Sequence, residues 1–469
     1  MLTSTLRKSM SCVALASVLA ISSACQKEAL MEEQFASSTA VDSNVSSQVI
    51  AGQYIVVFKN ATSGVSTQGV GRGRAGSRSE AATMRRRVYE SAGVESSAVS
   101  QEYEGIVNGF AAKLTKAQLT ALQSNAEVAY VEQDRLISLG KLSKTYTTKA
   151  GGGPNSNADS KGGGNGKNNP ADPAPTDPAP TDPAPTDPAP EEPAPSVPAP
   201  QEPTPAPGYA TITPLAGETI PWNIERVGYG DGTGKTIWII DSGIDTDHPD
   251  LNVDIARCFS LIYGNPSFED GFGHGTNVAG IIAAKNNGSG MIGIAANASV
   301  VALRVFDDAG AGTVSRALGA VNHVSYNGKP GDVVNMSIGA GTSFTLDDAV
   351  KAAAAKGILF AIAAGNSAID CYQSSPARVD APGVYTVSAM DIYNRLWDKS
   401  NFGAPVDFAA PGVDVTTTFK GGSFAGGCYG TSMSAPHVAG ILLLRGTVYS
   451  QGTITGDKDN TPDPIASVK

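Results

Sequence analysis

Hydrophobic residues follow two different patterns in two regions of the chain, and a long stretch without hydrophobic periodicity separates these regions. Between Tyr54 and Ile137, short apolar runs alternate with stretches of helical spacing, which predicts two helices among four strands. The strands are predicted at Tyr54–Phe58, Val99–Glu104, Val107–Leu114 and Val128–Ile137, and the helices at Ser79–Ala92 and Lys116–Ser124. This β-α-β-β-α-β order predicts a small ferredoxin-like α+β domain over residues 51–140.

From about Tyr209 onward, the pattern becomes strand then helix, repeated over residues 209–469. The strand runs are continuously apolar, as in KTIWIID, SVVALRV, DVVNMSIG and ILFAIAAGN, instead of alternating between apolar and polar positions. Such strands, each followed by a helix, are typical of a parallel sheet with helices on both faces, so this part is predicted to be an α/β domain. The ligand site of such a sheet lies beyond the carboxyl ends of its strands.

Residues 147–208 have no hydrophobic period and cannot form a core. A Gly- and Asn-rich stretch is followed by repeats of PAPTD, which predicts a flexible hinge and then an extended polyproline spacer of about 3.1 Å per residue. A ligand for a proline-recognition module is the alternative interpretation of the Pro-rich half. Residues 26–50 are polar and Ser-rich, and they are predicted to be an unstructured tether.

The first 25 residues have the pattern of an export signal. Arg7 and Lys8 precede an apolar stretch, Cys12–Ile21, which is too short to span a membrane. The segment ends in ISSAC, which resembles a bacterial lipoprotein signal in which Cys25 is lipidated and becomes the new N-terminus. An ordinary cleaved signal peptide is the alternative. In both cases the protein is predicted to leave the cytosol, and lipid at Cys25 would attach the precursor to the cell envelope.

Length and charge narrow the possible partners. With 469 residues, the chain is long enough for two or three folded units. Its net charge of -10 argues against nucleic acid or an anionic membrane surface as a partner, because both require a basic face. Cys12 and Cys25 belong to the export signal, and an oxidising compartment allows at most one disulfide among the others. Those are Cys258, Cys371 and Cys428.

Three polar residues mark the ends of predicted elements in the C-terminal half. Asp241 closes the apolar strand TIWII, His274 lies between glycines at a predicted helix start, and Ser432 lies at the start of the helix SMSAPHVAG. Alone, a Ser before a helix is usually an N-cap. Together, Asp241, His274 and Ser432 suit a hydrolytic site. A neutral Ser hydroxyl is a poor nucleophile, so a His must take its proton, and an Asp must orient that His. The other histidines are predicted to be surface or packing residues: His248, His323 and His437.

These residues occur in the order Asp, His, Ser, within the strings DSGID, HGT and GTSMSAP. Over roughly Trp222–Gly446, the order of these residues and the strings around them resemble those of the subtilisin-type serine proteases. They do not match the α/β-hydrolases, in which the order is Ser, Asp, His. The strings YIVVFKN and VNGFAAKLTKAQLTALQSNAEVAYVEQD resemble the inhibitory propeptide of that family. The resemblance implies an exported serine endopeptidase, made as a self-processing precursor. It would be monomeric, inhibited by its own propeptide and active on peptide or protein substrates.

The resemblance also implies residues around the triad. Asn366, in AIAAGNS, corresponds to the oxyanion Asn of the family, with the backbone N–H of Ser432 as the second donor. Two further segments correspond to the substrate grooves, between which a peptide would add as an extended strand. Their residues are Gly310, Gly312, Ser337, Ile338 and Gly339. Small residues near them imply an open apolar pocket and broad specificity with a hydrophobic preference.

A structural calcium site is implied at the loop of residues 285–291. Asp250 and Asn287 would supply side-chain oxygens, and the loop would supply carbonyl oxygens, which are the ligands that Ca2+ prefers. An empty surface loop is the alternative. Cys371 resembles a half-cystine of the proteinase K-like branch of the family, and because its usual partner is replaced here, Cys428 is the candidate partner.

The order of parts has a consequence for maturation. The lipid site, the tether and the inhibitory domain all precede the expected cut, which should fall between about Gly140 and Thr148. Cleavage there would release a protease that carries the Pro-rich segment at its own N-terminus. Two other functions are alternatives: a processing protease with few substrates, and a catalytically inactive surface module that binds peptides.

Overall fold

The computed structural model describes residues 48–59, 74–140 and 208–469. The predicted export signal, nearly all of the tether and linker, and the segment expected to be cut after Gly140 lie outside these residues. Among the residues described, no helix has the length and apolar character needed to cross a membrane.

The described residues up to Gly140 form an N-terminal domain with an antiparallel sheet. Its elements are β1 Val49–Phe58, α1 Arg74–Ser91, β2 Val99–Tyr103, β3 Gly109–Lys113, α2 Lys116–Gln123 and β4 Val128–Ser138. The strands lie in the order β4-β1-β3-β2, and Phe58, Tyr89 and Phe110 pack in the core. The predicted β-α-β-β-α-β order is confirmed, although β1 and α1 begin earlier than the hydrophobic pattern indicated.

Residues 208–469 form a larger C-terminal domain. Its helices are α3 Trp222–Val227, α4 His274–Ala283, α5 Val314–Asn327, α6 Phe344–Ala354 and α7 Thr431–Arg445. Its first strands are β5 Gly230–Asp231, β6 Thr236–Asp241, β7 Asn252–Val253, β8 Phe259–Ser260, β9 Ala295–Ala296, β10 Ser299–Arg304 and β11 Ala311–Thr313. The remaining strands are β12 Val333–Met336, β13 Leu359–Ala363, β14 Val384–Met390, β15 Phe408–Pro411, β16 Val415–Phe419, β17 Ser423–Cys428, β18 Tyr449–Thr453 and β19 Pro464–Ser467.

The main sheet is parallel and buried on both faces. Its strands lie in the order β18-β19-β15-β14-β13-β12-β6-β10-β7, and only β18 runs antiparallel to its neighbour. Along β6, Trp238 and Ile240 belong to one apolar cluster, whereas Ile237 and Ile239 belong to another. Because successive strand side chains point to opposite faces, both faces are covered. The predicted α/β sheet is therefore confirmed, and β6, β12 and β13 bring their carboxyl ends to one edge.

The strands after β13 were not predicted. β16 and β17 pair as a hairpin of the sequences VTTTF and SFAGGC, whose small and polar residues leave no clear period. After α7, the chain forms β18 and β19, and β19 joins the sheet beside β15 through Ile465 and Ala409.

Candidate active site

Asp241 and His274 form a buried pair at the carboxyl edge of the sheet. Asp241 is the last residue of β6 and is fully buried. Both of its carboxylate oxygens lie 2.9 Å from His274 Nδ1, and Oδ1 also accepts the N–H of Ser242 at 2.7 Å. A carboxylate held in this way orients the imidazole with Nδ1 as the donor and leaves Nε2 free for a reacting group.

Two glycines allow the helix that carries His274 to approach the loop after β6. α4 begins at His274, and Gly273 before it has φ 112°, a conformation that favours glycine. A Cβ on Gly275 would overlap the carbonyl oxygen of Gly243. The string GHG therefore brings the imidazole to Asp241, because larger residues would push the helix away.

The surroundings of His274 favour its charged form. Burial alone lowers the pKa of an imidazole, but the charge of Asp241, its hydrogen bond and the charge of Asp270 outweigh burial and raise the pKa of His274. The neutral imidazole, which can accept a proton, predominates only above this raised pKa. Activity that depends on His274 as a base is therefore expected to decline as the pH falls through that pKa.

Ser432 lies at the start of α7, at the same edge of the sheet. α7 begins at Thr431, after Gly430 with φ 122°. Ser432 Oγ donates to the carbonyl oxygen of Ser337, which follows the strand beside β6, at 3.3 Å. In the part of the chain that the structure describes, no hydrogen bond joins the side chains of Ser432 and His274. Catalytic hydrogen bonds are often long until substrate binds, so the lack of this bond does not argue against proton transfer between the two residues.

Asn366 follows β13 and is held against the first turn of α7. Its Oδ1 accepts from the backbone N–H and the hydroxyl of Thr431, both at 2.9 Å. These bonds assign Oδ1 as the acceptor and leave Nδ2 as the donor. A Cβ on Gly430 would lie 3.3 Å from Nδ2, which places this donor beside the residues that precede Ser432. The sequence had not identified Thr431, since nothing in the string GTS shows which side chain it contacts.

The predicted groove segment at Gly310 and Gly312 borders an edge strand, and the N-terminal domain occupies that edge. β4 pairs antiparallel with β11, so that Ile137 lies opposite Gly312. The N–H of Leu139 donates to the carbonyl of Gly310 at 3.1 Å. Ile137 is buried in the same apolar cluster as side chains of the C-terminal domain. The end of the N-terminal domain therefore lies on this edge as an added strand.

The second predicted segment, after β12, contacts the start of α7. Ser337 Oγ accepts from Asn335 Nδ2 at 2.9 Å and donates to the carbonyl of Ser432 at 2.8 Å. Ile338 is only 3% exposed, and its side chain packs in the core. A Cβ on Gly339 would make only one contact, at 3.5 Å, so the space beside this glycine is open.

Two carboxylates of β4, which the hydrophobic pattern did not single out, bind the starts of two helices. Asp134 is fully buried and accepts the N–H of Ser315 at 3.0 Å and its hydroxyl at 2.6 Å. Glu132 accepts the N–H of Thr345 at 3.0 Å and its hydroxyl at 2.6 Å. Ser315 and Thr345 are the second residues of α5 and α6, where unpaired N–H groups and the helix dipole attract an anion. These contacts hold the N-terminal domain in place beside the edge strand.

The structure brings Asp250 to the loop of residues 285–291. Its carboxylate oxygens accept from Asn287 Nδ2 and from the N–H of Met291, each at 3.1 Å. The described residues contain no cluster of three or more His, Cys, Asp or Glu side chains suited to a metal. Asn287 thus turns its nitrogen to Asp250, and its Oδ1 accepts from the N–H and the hydroxyl of Ser289 at 3.0 Å and 2.9 Å. Burial raises the pKa of Asp250, an effect that a bound cation would oppose.

The predicted bridge between Cys371 and Cys428 is wrong, because Cys258, Cys371 and Cys428 are free thiols. Cys371 is buried in the apolar cluster that contains Trp238, whereas Cys428 packs against the cluster on the other face of the sheet. Cysteines on opposite faces cannot approach within bonding distance. Burial raises the pKa of Cys428 to about 12 and that of Cys258 to about 11, so these thiols stay protonated near neutral pH.

The other histidines lie in packed surroundings. His437 is fully buried on α7, where Nδ1 lies 2.8 Å from the carbonyl of Met433. Burial lowers the pKa of His437 to about 3, so it stays neutral. His323 stacks on Phe259, with ring centroids 5.0 Å apart. Only His274 combines a carboxylate partner with a place at the carboxyl edge of the sheet.

Two family models match parts of this chain. The model of the subtilase family matches residues 232–454, and that of the peptidase inhibitor I9 family matches residues 53–139. An alkaline protease of Alkalihalobacillus alcalophilus is 39% identical over 269 residues, and the match covers 55% of this chain and 68% of that protein. Subtilisin Savinase of Lederbergia lenta is 39% identical over 261 residues, and the match covers 53% of this chain and 94% of that protein.

Among solved structures, a cold adapted subtilisin-like serine proteinase is 30% identical, with a TM-score of 0.47, and the match covers 53% of this chain and 98% of that one. The protease of Alkalihalobacillus alcalophilus and Subtilisin Savinase are each 39% identical to this chain over more than two thirds of their own length. The chain therefore belongs to the subtilase family, as a subtilisin-type serine endopeptidase preceded by a peptidase inhibitor I9 domain.

Proposed function

We propose that the chain is the precursor of an exported endopeptidase in which Asp241, His274 and Ser432 form the catalytic triad. The observation that carries the proposal is the buried Asp241–His274 pair at the sheet edge where Ser432 lies in the first turn of α7. The three residues have the chemistry that peptide hydrolysis requires. Ser432 supplies a nucleophile, His274 a base that can return the proton, and Asp241 a carboxylate that orients the base.

Hydrolysis would proceed through an acyl-enzyme in two similar halves. Ser432 Oγ attacks the carbonyl carbon of the peptide while His274 Nε2 takes the hydroxyl proton, and Asp241 stabilises the imidazolium. His274 then gives this proton to the leaving amine as the C–N bond breaks. A water molecule repeats the attack on the ester with His274 again as base, and the acid product leaves as Ser432 regains its proton.

The negative charge that develops on the carbonyl oxygen would be stabilised by Asn366 Nδ2 and the backbone N–H of Ser432. Donors placed before the reaction need no reorganisation when the charge forms. The hydrogen bonds from Thr431 to Asn366 Oδ1 support this role, because they hold the amide with its donor end free. The N-terminus of α7 adds the favourable end of a helix dipole.

Substrates would bind as an extended strand along Gly310–Gly312, with Ser337–Gly339 on the other side. The chain's own β4 binds β11 in this way, which supports backbone pairing as the source of affinity. Ala363 is the last residue of β13, Ala364 follows it, and both small side chains are buried. They favour an open apolar pocket and thus broad specificity with hydrophobic side chains preferred.

The I9 domain would act as an intramolecular inhibitor until the enzyme cuts it away. Its last strand lies on the substrate edge, and Leu139 pairs with Gly310 just before the expected cut between about Gly140 and Thr148. A lipid at Cys25 would hold the uncut precursor at the membrane. The mature monomer would then be released to the periplasm or the exterior.

Labelling of the purified protein with a phosphonate probe for serine proteases, followed by sequencing of the N-terminus, tests this proposal. We expect the probe on Ser432 and a new N-terminus between about residues 141 and 148, because the same site is proposed to cut the precursor. Labelling that persists in Ser432→Ala would show that another nucleophile reacts. A mature N-terminus far outside this segment would contradict the proposed register of the I9 domain.

Calcium at Asp250 and Asn287 is expected to raise thermal stability. An ion that binds only the folded state stabilises it by about 2.7 kcal/mol at a concentration of 100 times its Kd. We therefore expect chelator to lower the Tm of the wild type, and Asp250→Asn to have a low Tm that chelator does not change. Thermal unfolding of both proteins with Ca2+ or with chelator measures this. Equal melting of the wild type in both conditions would remove the calcium site.

A further inference from the structure

Asp270 is a buried carboxylate whose hydrogen bonds all come from neutral groups. It is 3% exposed. Its Oδ1 accepts from Ser242 Oγ at 2.8 Å and from the N–H of Gly273 at 2.6 Å. Its Oδ2 accepts from the N–H of Thr276 at 2.9 Å and from its hydroxyl at 2.6 Å. Hydrogen bonds to an ionised carboxylate are stronger than neutral ones, and this set offsets the loss of hydration of a buried charge.

One side of this network reaches the carboxylate of Asp241. The hydroxyl of Ser242 donates to Asp270 and accepts the N–H of Gly275 at 2.9 Å. The backbone N–H of the same Ser242 donates to Asp241 Oδ1. Because Asp270 fixes Ser242 by its side chain, it also fixes the N–H that orients Asp241.

The other side of the network reaches the start of α4, which begins at His274. Gly273 occupies the N-cap position and has no side chain to accept the free N–H groups of the first turn. Asp270 takes that role by accepting the N–H of Thr276. The hydroxyl of Thr276 also accepts the N–H of Asp245 at 3.0 Å, which ties the helix to the loop after β6.

We propose that Asp270 is a positioning residue that locks the loop after β6 to the start of α4, so that Asp241 and His274 meet, and that its charge stabilises the imidazolium. This inference rests on the triad proposed above. Asp270 acts through His274 and Asp241, and it binds no substrate itself. The string EDGFGHGT gave no sign of this role, because an Asp in a Gly-rich loop is usually a turn residue.

The charges around the imidazole favour this role for Asp270. Asp241 on β6 and Asp270 before α4 are the groups whose charges raise the pKa of His274. Glu269 is exposed and accepts from Thr246. Lys420, on the turn after β16, is exposed and donates to the carbonyl of Gly271. Asp308 is exposed and forms an ion pair with the buried Arg304. Solvent screens the exposed groups, so the two buried carboxylates dominate the field at His274.

The test is Asp270→Asn, assayed after maturation with a soluble peptide substrate over a range of pH. We expect kcat to fall by about 10- to 100-fold, as small misplacements of catalytic groups cause, with KM close to that of the wild type. We also expect the acid limb of kcat/KM to move to lower pH. Loss of a nearby negative charge destabilises the imidazolium, so neutral His274 persists to a lower pH.

Two further variants separate position from charge. Ser242→Ala breaks the link to the loop but keeps the Asp270 charge, so it should lower kcat without moving the acid limb. Glu269→Gln removes an exposed neighbouring charge and should leave both quantities at their wild-type values. A folded Asp270→Asn enzyme with the wild-type kcat and acid limb would overturn the inference. If Asp270→Asn does not fold, a wild-type kcat in Ser242→Ala would overturn it. A wild type that neither cleaves peptide nor reacts with the phosphonate probe would instead refute the proposed function.

Discussion

Replacement of Ser432 with alanine is expected to abolish proteolysis and to leave the precursor uncut. The methyl group cannot attack a carbonyl, so neither external peptides nor the chain's own segment after Gly140 would be cleaved. The measurement is peptide hydrolysis together with the size of the purified protein on a denaturing gel. The variant should still fold, because the Oγ of Ser432 makes a single long hydrogen bond, to the carbonyl of Ser337 at 3.3 Å.

A suitable control is Ser450→Ala, which removes an exposed hydroxyl on β18 and should process and cleave like the wild type. Wild-type enzyme added to the Ser432→Ala precursor should cut it in trans, which would show that the processing segment is intact. Normal self-processing of Ser432→Ala would contradict both the nucleophile assignment and the proposed maturation.

The same variant reports on where the enzyme acts. If Cys25 is lipidated, the uncut Ser432→Ala precursor should sediment with membranes, and the processed wild type should be soluble, since the cut separates the protease from its lipid. Membrane fractionation with antibody to the C-terminal domain measures both. A bacterial lipoprotein cysteine carries more than one acyl chain, and stable anchoring requires more than a single chain. A soluble Ser432→Ala precursor would show that Cys25 carries no lipid.

Replacement of Asn366 with alanine should lower kcat by about 10² to 10³ while folding and KM stay close to those of the wild type. This range is the one found when a single oxyanion donor is removed in subtilisin. The donor acts on charge that exists only in the transition state, so the loss should appear in kcat and not in substrate binding. Steady-state kinetics with one peptide substrate measures the two parameters separately.

The structure adds a complication that a second variant resolves. Asn366 Oδ1 also holds Thr431 at the first turn of α7, so alanine removes a structural contact as well as the donor. Asn366→Asp keeps an acceptor for Thr431 but has no N–H to donate. We expect kcat in Asn366→Asp to be at least as low as in Asn366→Ala. Recovery of the wild-type kcat in Asn366→Asp would mean that Asn366 acts by holding α7 and not as a donor.

Local pattern was sufficient for the fold class. The continuous apolar run TIWIID predicted a strand buried on both faces, and the structure divides its side chains between two cores. Asp241, His274 and Ser432 were singled out because they lie at element ends, in the order and within the strings typical of the subtilisin family. The strings around these residues include the glycines on either side of His274, which the close approach of α4 to the loop after β6 requires. These features were readable because each depends on neighbours a few residues away.

The tertiary structure alone decided which distant side chains meet. That Glu132 and Asp134 bind the starts of two helices, and that Asp270 joins the loops of the triad, depends on contacts between elements. The cysteines show the same limit, since Cys428 was paired with Cys371 only as a substitute for the half-cystine partner that the family resemblance implied. The sheet separates them, and a disulfide depends on the distance between two thiols in space. Periodicity along a chain determines which face of an element is buried, but the partners across that face are set only when the elements pack.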